Sequence, residues 1–192
     1  MQIPLKYSKP HELAVAVILS AQCTDERVNR ITPILFNKYK RPEDYYMNPA
    51  EELEKMIFSA GFYRNKARSI RGFCRMLVES YGGVLPREFS RLLEFPGMGR
   101  KSANVITQAL FHEASGIVVD THVARLSGVL GLSKEKSPEK IEKDLMKAVQ
   151  KEQWILWSLY MIYLGRSFCR ARRRDCTACP LSTVCPSSVL SE

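Results

Sequence analysis

The sequence predicts an all-α protein. Apolar residues either recur at helical spacing or form runs long enough for buried helices, and no segment shows the alternating period of a strand pair or hairpin. Ten prolines are spread along the chain, as many short helices joined by tight turns require. With 192 residues, 45% hydrophobic and 26% charged, the chain can bury a core in one domain or two small ones, and it is too apolar to be disordered. No apolar stretch approaches the roughly 18 residues of a membrane span. The opening MQIPLKYSKPHELAVAVILSAQ lacks a basic stretch ahead of a longer apolar core and cleavage site. That predicts no signal peptide and an intracellular location, cytoplasm or nucleoid.

The elements follow in order. Residues 11–21, HELAVAVILSA, read as a buried helix with Pro10 at its start. Thr24 is an N-cap for DERVNRITPILFNKY, which Pro33 is expected to kink or to end in its first part. Asn48-Pro49 reads as an N-cap followed by proline at the first helical position, opening PAEELEKMIFS, and Gly61 ends that helix. Residues 65–80 carry Ile70, Phe73, Cys74, Leu77 and Val78 at helical spacing, with Arg68, Arg71 and Arg75 among the polar positions. Gly82-Gly83 and Pro86 mark a loop. A short helix from Ser90 to Glu94 stops at Phe95-Pro96-Gly97, and residues 100–112 form the next. IVVD is a short apolar run ending at Asp120, and THVARLSGVLG is the helix after it. Ser137-Pro138-Glu139 starts a helix to about Lys151, and WILWSLYMIYLGRSF is the last apolar helix.

The net charge of +9 is concentrated. Residues 61–110 hold nine basic and three acidic side chains, and residues 165–192 hold five and two, while the remainder of the chain is balanced. Two basic blocks suit a polyanion. Modest aromatic interleaving favours a duplex backbone over a single-strand stacking platform.

Three groups of residues carry candidate chemistry. In LLEFPGMGRKSAN, the turn Pro96-Gly97-Met98-Gly99 joins a short helix to a longer one and is followed at once by Arg100 and Lys101. Glycines allow positive φ and close approach of a ligand, and the free amides of the next helix start point into the same space, which suits a phosphate without reading any base. Lys101 is either a solvent-facing lysine or a nucleophile whose cation is disfavoured by burial and by the helix N-terminus. Asp120, before Thr-His, is an N-cap and a candidate carboxylate. Cys169, Cys176, Cys179 and Cys185 offer four soft ligands for zinc or an iron–sulfur cluster. Without a secretion signal a disulfide framework is not expected, and Cys23 and Cys74 read as small hydrophobes.

LLEFPGMGRKSANVI resembles the helix-hairpin-helix of the endonuclease III family of DNA glycosylases. VVDTHVARLSGVLG resembles its catalytic-aspartate segment, LSAQCTDERVN its LSAQxTD segment, and the cysteine spacing its cluster motif. The resemblance covers almost the whole chain. It implies a helix-hairpin-helix glycosylase fold with a six-helix domain over residues 4–113. An iron–sulfur domain over 114–192, joined by residues 1–3, would flank a DNA-binding cleft. It implies a bifunctional glycosylase and apurinic/apyrimidinic lyase that flips a damaged pyrimidine into that cleft. Lys101 would displace the base as a Schiff base and nick the strand by β-elimination, with Asp120 as the catalytic carboxylate. Gln22 and Phe62 map to the side chains that fill the gap, Phe62 standing where leucine is common. The four cysteines map to a [4Fe–4S] cluster that shapes a loop presenting Arg172 and Arg173 to phosphates, and the hairpin residues Pro96, Gly97, Met98, Gly99 and Arg100 map to DNA contacts. The implied partner is double-stranded DNA bound without regard to sequence by a monomer, with no membrane.

The family normally carries a further N-terminal helix that packs into the cluster domain, and only a few residues precede Leu5 here, so that domain is trimmed or the chain is an incomplete product. The alternatives are a monofunctional mismatch glycosylase of the same superfamily and a non-catalytic iron–sulfur DNA-binding protein. The first generally lacks the lysine; the second would need neither Lys101 nor Asp120.

Overall fold

The structure, a computed structural model, describes residues 4–189. The described residues are helical throughout except for loops and one isolated bridge between Cys169 and Arg174. The chain divides after His112 into two compact units, each with its own apolar core. The assignment of residues 1–3 to the second domain lies outside the described residues.

The first unit is built around α1 (Pro10–Ser20), whose residues 11–19 are all buried. Its start is secured by Glu12, whose carboxylate accepts the amides of Ser8 (2.8 Å) and Lys9 (3.1 Å), donors that precede the helical ladder. Around α1 pack α2 (Asp25–Lys38), α5 (Tyr63–Tyr81) and α7 (Arg100–Phe111). Thr24 caps α2 as expected, accepting the Arg27 amide at 3.3 Å. Pro33 does not end α2, which runs through it to Lys38. Pro33 is exposed, so the hydrogen bond its ring removes falls on a wet side while Val28, Ile31 and Leu35 hold the buried face.

Between α2 and α4 (Ala50–Ile57) stands a helix that the sequence reading passed over, α3 (Pro42–Met47). Asp44 starts it by accepting the amides of Lys40 and Arg41, both at 2.9 Å. Asn48 does not cap the helix that follows it. Its amide donates backward to the Asp44 carbonyl at 2.7 Å and closes α3 instead. Arg71 of α5 then donates to the carbonyls of Tyr45, Tyr46 and Asn48, at 3.0, 3.0 and 2.5 Å, and fixes that end against α5. A 3-10 turn, Phe58–Ala60, and Gly61 lead into α5, and α6 (Phe89–Leu92) precedes α7.

The second unit holds α8 (Thr121–Val129), α9 (Pro138–Ala148) and α10 (Trp154–Ser167). Ile117, Val118 and Val119 lie buried as a non-helical segment ahead of α8, and Ser158 of α10 donates to the Val118 carbonyl at 2.7 Å. The core joins Val123, Leu126, Ile141, Leu145, Met161 and Leu164. Among the described residues no helix is long and apolar enough to cross a membrane.

Candidate functional site

The hairpin between α6 and α7 is seated on α5 by contacts that leave no room for side chains. Gly97 has φ +77°, and a Cβ there would stand 2.7 Å from the Ser69 Cβ. One turn along α5, a Cβ on Gly72 would meet the Pro96 ring at 3.0 Å. Gly99 faces open space and caps α7, its carbonyl accepting the first helical bond from Ala103 at 2.9 Å. The amides of the first turn precede that bond and lie at the positive end of the helix dipole. Pro96, Gly97, Gly99 and Arg100 are exposed, and the Arg100 guanidinium stands 5.3 Å from the Phe89 ring centre. Met98, the remaining hairpin residue, differs from these in burial. At 5% exposure it is part of the core, which leaves only its backbone to a ligand.

Gln22 and Phe62 belong to the same unit, and both stand in the left-handed region, at φ 53° and 47°. Gln22 lies in a tight turn after α1, closed by the Cys23 amide donating to the Ser20 carbonyl at 3.1 Å. Phe62 precedes α5 and is 64% exposed. Left-handed backbone is uncommon for large side chains and costs on the order of 1 kcal/mol or more. Among the described residues His112, which closes α7 at φ 55°, is a third exposed residue of this kind.

Lys101 is the second residue of α7 and is exposed, so the burial expected to disfavour its cation is not supplied by the unit that carries it. In the second unit Asp120 caps α8: its Oδ1 accepts the Val123 amide at 2.8 Å, which fixes the carboxylate while leaving it partly exposed. Five residues along α8, Arg125 donates to the Cys169 carbonyl at 2.5 Å, with its other nitrogen 3.9 Å from the Cys169 sulfur.

None of the six cysteines is in a disulfide. Cys169, Cys176, Cys179 and Cys185 line one pocket with Leu164, Phe168 and Leu181. Among the described residues, no three metal-ligating side chains converge on a single ion position. The loop from Cys169 is pinched by the Cys169–Arg174 bridge and by the Asp175 amide donating to the Phe168 carbonyl at 2.9 Å, which leaves Arg172 and Arg173 exposed. Cys74 is fully buried, and burial pushes its thiol up, in keeping with a small hydrophobe.

Residues 15–151 match the HhH-GPD superfamily of base excision DNA repair proteins. Endonuclease III of Synechocystis sp. is 46% identical over 187 residues, 97% of this chain and 85% of that protein. Endonuclease III of Bacillus subtilis is 49% identical over 182 residues, 94% of this chain and 83% of that protein. The chain belongs to the endonuclease III family. A solved structure of an endonuclease III trapped as a covalent intermediate on DNA superposes with a TM-score of 0.89 at 45% identity, covering 97% of this chain and 87% of that one. A thermostable thymine-DNA glycosylase, at 21% identity and a TM-score of 0.82, shares the fold.

Within this family frame, some residues escaped the sequence reading. Ser69 and Gly72, which seat the hairpin, give no stronger signal than a glycine and a serine inside a helical pattern. Lys66 and Arg71 read as members of a basic face. Yet Lys66 is buried, and Arg71 is committed to three backbone carbonyls.

Proposed function

We propose that the hairpin, Lys101 and Asp120 divide one reaction sequence on a damaged nucleotide among them. The chain is a bifunctional DNA glycosylase and apurinic/apyrimidinic lyase of base excision repair. The observation that carries the residue assignment is the position of Lys101, exposed in the first turn of α7 directly after the Gly97–Gly99 hairpin. First-turn amides and the dipole hold a phosphate there without reading sequence, so the amine on the same turn is registered to the sugar next to that phosphate. Exclusion of water when the nucleotide seats supplies the desolvation that the exposed amine lacks in the free protein.

The chemistry then runs in balanced steps. The bond from C1′ to the base breaks and the base leaves with its electron pair and a proton, while the Lys101 Nζ bonds to C1′. Asp120 stabilises the positive charge that develops on the sugar, as carboxylates do in glycoside cleavage. Ring opening gives the protonated imine. Loss of the 2′ proton then expels the 3′ phosphate and nicks the strand. Gln22 pairs with the orphaned base, and Phe62 fills the gap in the stack. The related endonuclease III trapped as a covalent intermediate on DNA supports a reaction that passes through a bond between enzyme and DNA. The substrate class is oxidised or ring-damaged pyrimidines.

The donor set fits a [4Fe–4S] cluster. All four cysteines line one pocket with apolar Leu164, Phe168 and Leu181, and their spacing is that of the family's cluster motif. When bound it supplies four covalent anchors, and this chain's part is to hold Arg172 and Arg173 outward on the pinched loop, toward phosphates.

The test is a panel of duplexes carrying an oxidised thymine, an oxidised cytosine, an oxidised guanine or an adenine mispair. The expected result is base release coupled to β-elimination on the pyrimidine lesions, with a borohydride-trapped adduct that Lys101→Ala abolishes. Adenine release from the mispair with no nick would establish the monofunctional alternative instead.

A further inference from the structure

Lys66 lies in the basic block attributed to a polyanion footprint, yet it is 5% exposed. Its ammonium donates to the Leu19 carbonyl at 2.8 Å and to the Ala60 carbonyl at 2.9 Å. Leu19 stands in the last turn of α1, where carbonyls run out of helical partners and a cation is favoured by the dipole. Ala60 closes the 3-10 turn ahead of α5. Gln22 follows Leu19 by three residues, and Phe62 follows Ala60 by two. Both are exposed and in the left-handed region, and 47 positions of sequence separate Leu19 from Lys66. One turn further along α5, Ser69 meets Gly97 of the hairpin.

We infer that Lys66 is a positioning residue that ties the Gln22 turn to the Phe62 turn, so that the two side chains enter the duplex as one rigid two-pronged element. This rests on the reading of Gln22 and Phe62 as the gap-filling pair. The chemistry calls for an ammonium: one small centre with three N–H donors on a long stem reaches two carbonyls from different segments, where an apolar residue would leave both without that partner. The link also balances the strain. Two left-handed residues persist only where their surroundings over-determine them, and a buried bond to each flanking segment does that. Burial holds the Lys66 ammonium below the ordinary lysine value, against the opposing pull of Cys23.

The test compares Lys66→Met, Gln22→Ala and Phe62→Ala with the unmodified chain on two duplexes. One carries a non-cleavable tetrahydrofuran abasic analogue with 2-aminopurine opposite it, and the other is undamaged. Thermal unfolding of each variant is measured alongside. Loss of the buried, charge-assisted bonds is expected to weaken tetrahydrofuran-duplex affinity by about tenfold or more and to remove the 2-aminopurine response. Affinity for the undamaged duplex should be unchanged, a split that a general loss of structure does not produce. If Gln22→Ala and Phe62→Ala lose discrimination while Lys66→Met behaves as the unmodified chain, the positioning role is overturned and the gap-filling reading stands. If both alanine variants discriminate normally, the gap-filling reading fails and the inference falls with it. Should Lys66→Met not fold, Lys66→Gln decides. Its shorter amide reaches at most one of the two carbonyls, so a several-fold loss supports the link and full discrimination overturns it.

Discussion

Asp120 has one task in view, the cap of α8, and one proposed, and substitution separates them. Its carboxylate caps α8 through the Val123 amide, and Asn caps a helix as well as Asp does. Asp120→Asn is therefore expected to keep its melting temperature while excision slows by orders of magnitude, and Asp120→Ala to lose about 1 kcal/mol of stability as well. Single-turnover rates beside calorimetry check both, and unchanged turnover in Asp120→Asn would leave only the cap. At this scale the sequence was readable wherever a residue's role is local. The cap at Asp120 follows from its neighbours in the chain, as does the positive φ at Gly97. What was not readable is set by distant partners. The exposure of Lys101, the burial of Met98 and the buried bonds of Lys66 each depend on what packs against the residue.

Among the elements, α1 governs the first unit and also carries a titratable weak point. His11 is 8% exposed, its Nε2 finds no partner among the described residues, and burial holds its pKa below the ordinary value against the opposing pull of Glu12, Glu43 and Asp44. The folded chain therefore binds this proton less readily than the unfolded one. The stability due to neutral His11 is complete above the unfolded value of roughly 6.5 and is lost as pH falls through it toward the lower folded value. Urea midpoints measured between about pH 7.5 and 5 should fall, and His11→Met should flatten the slope. An identical slope in the variant would place the acid sensitivity elsewhere. The long apolar run of α1 was legible because a helix buried on all sides is apolar on all sides. Helix α3 was not legible, because six residues give no periodic signal and its closing contact, Asn48 to Asp44, looks in sequence like the start of the next helix. Pro33 does not end α2 for a related reason: whether a proline breaks a helix depends on which side meets water.

For the whole molecule, the net charge of +9 overstates the surface available to DNA, because Lys66 and Arg71 are committed to backbone carbonyls. The second unit gathers four free cysteines in one pocket, and Arg125 links one of them to the helix that Asp120 caps. Protein produced with ample iron is expected to hold about four irons per chain, and Cys176→Ser to lose them with the ordering of the Arg170–Arg174 loop. Elemental analysis returning one zinc per chain would overturn the cluster assignment. The cysteine spacing announced soft ligands, but whether the sulfurs converge on a point or surround a larger volume is a property of the folded unit.

The proposed reaction turns on one bond, from the amine of Lys101 to the sugar of the damaged nucleotide. Its most direct measurement is peptide mapping of the borohydride-reduced adduct by mass spectrometry, using the unmodified chain on a duplex with one oxidised thymine. The deoxyribose remnant is expected on the peptide containing Lys101 and on no other. A remnant mapped to another lysine or to the N-terminal amine would contradict it.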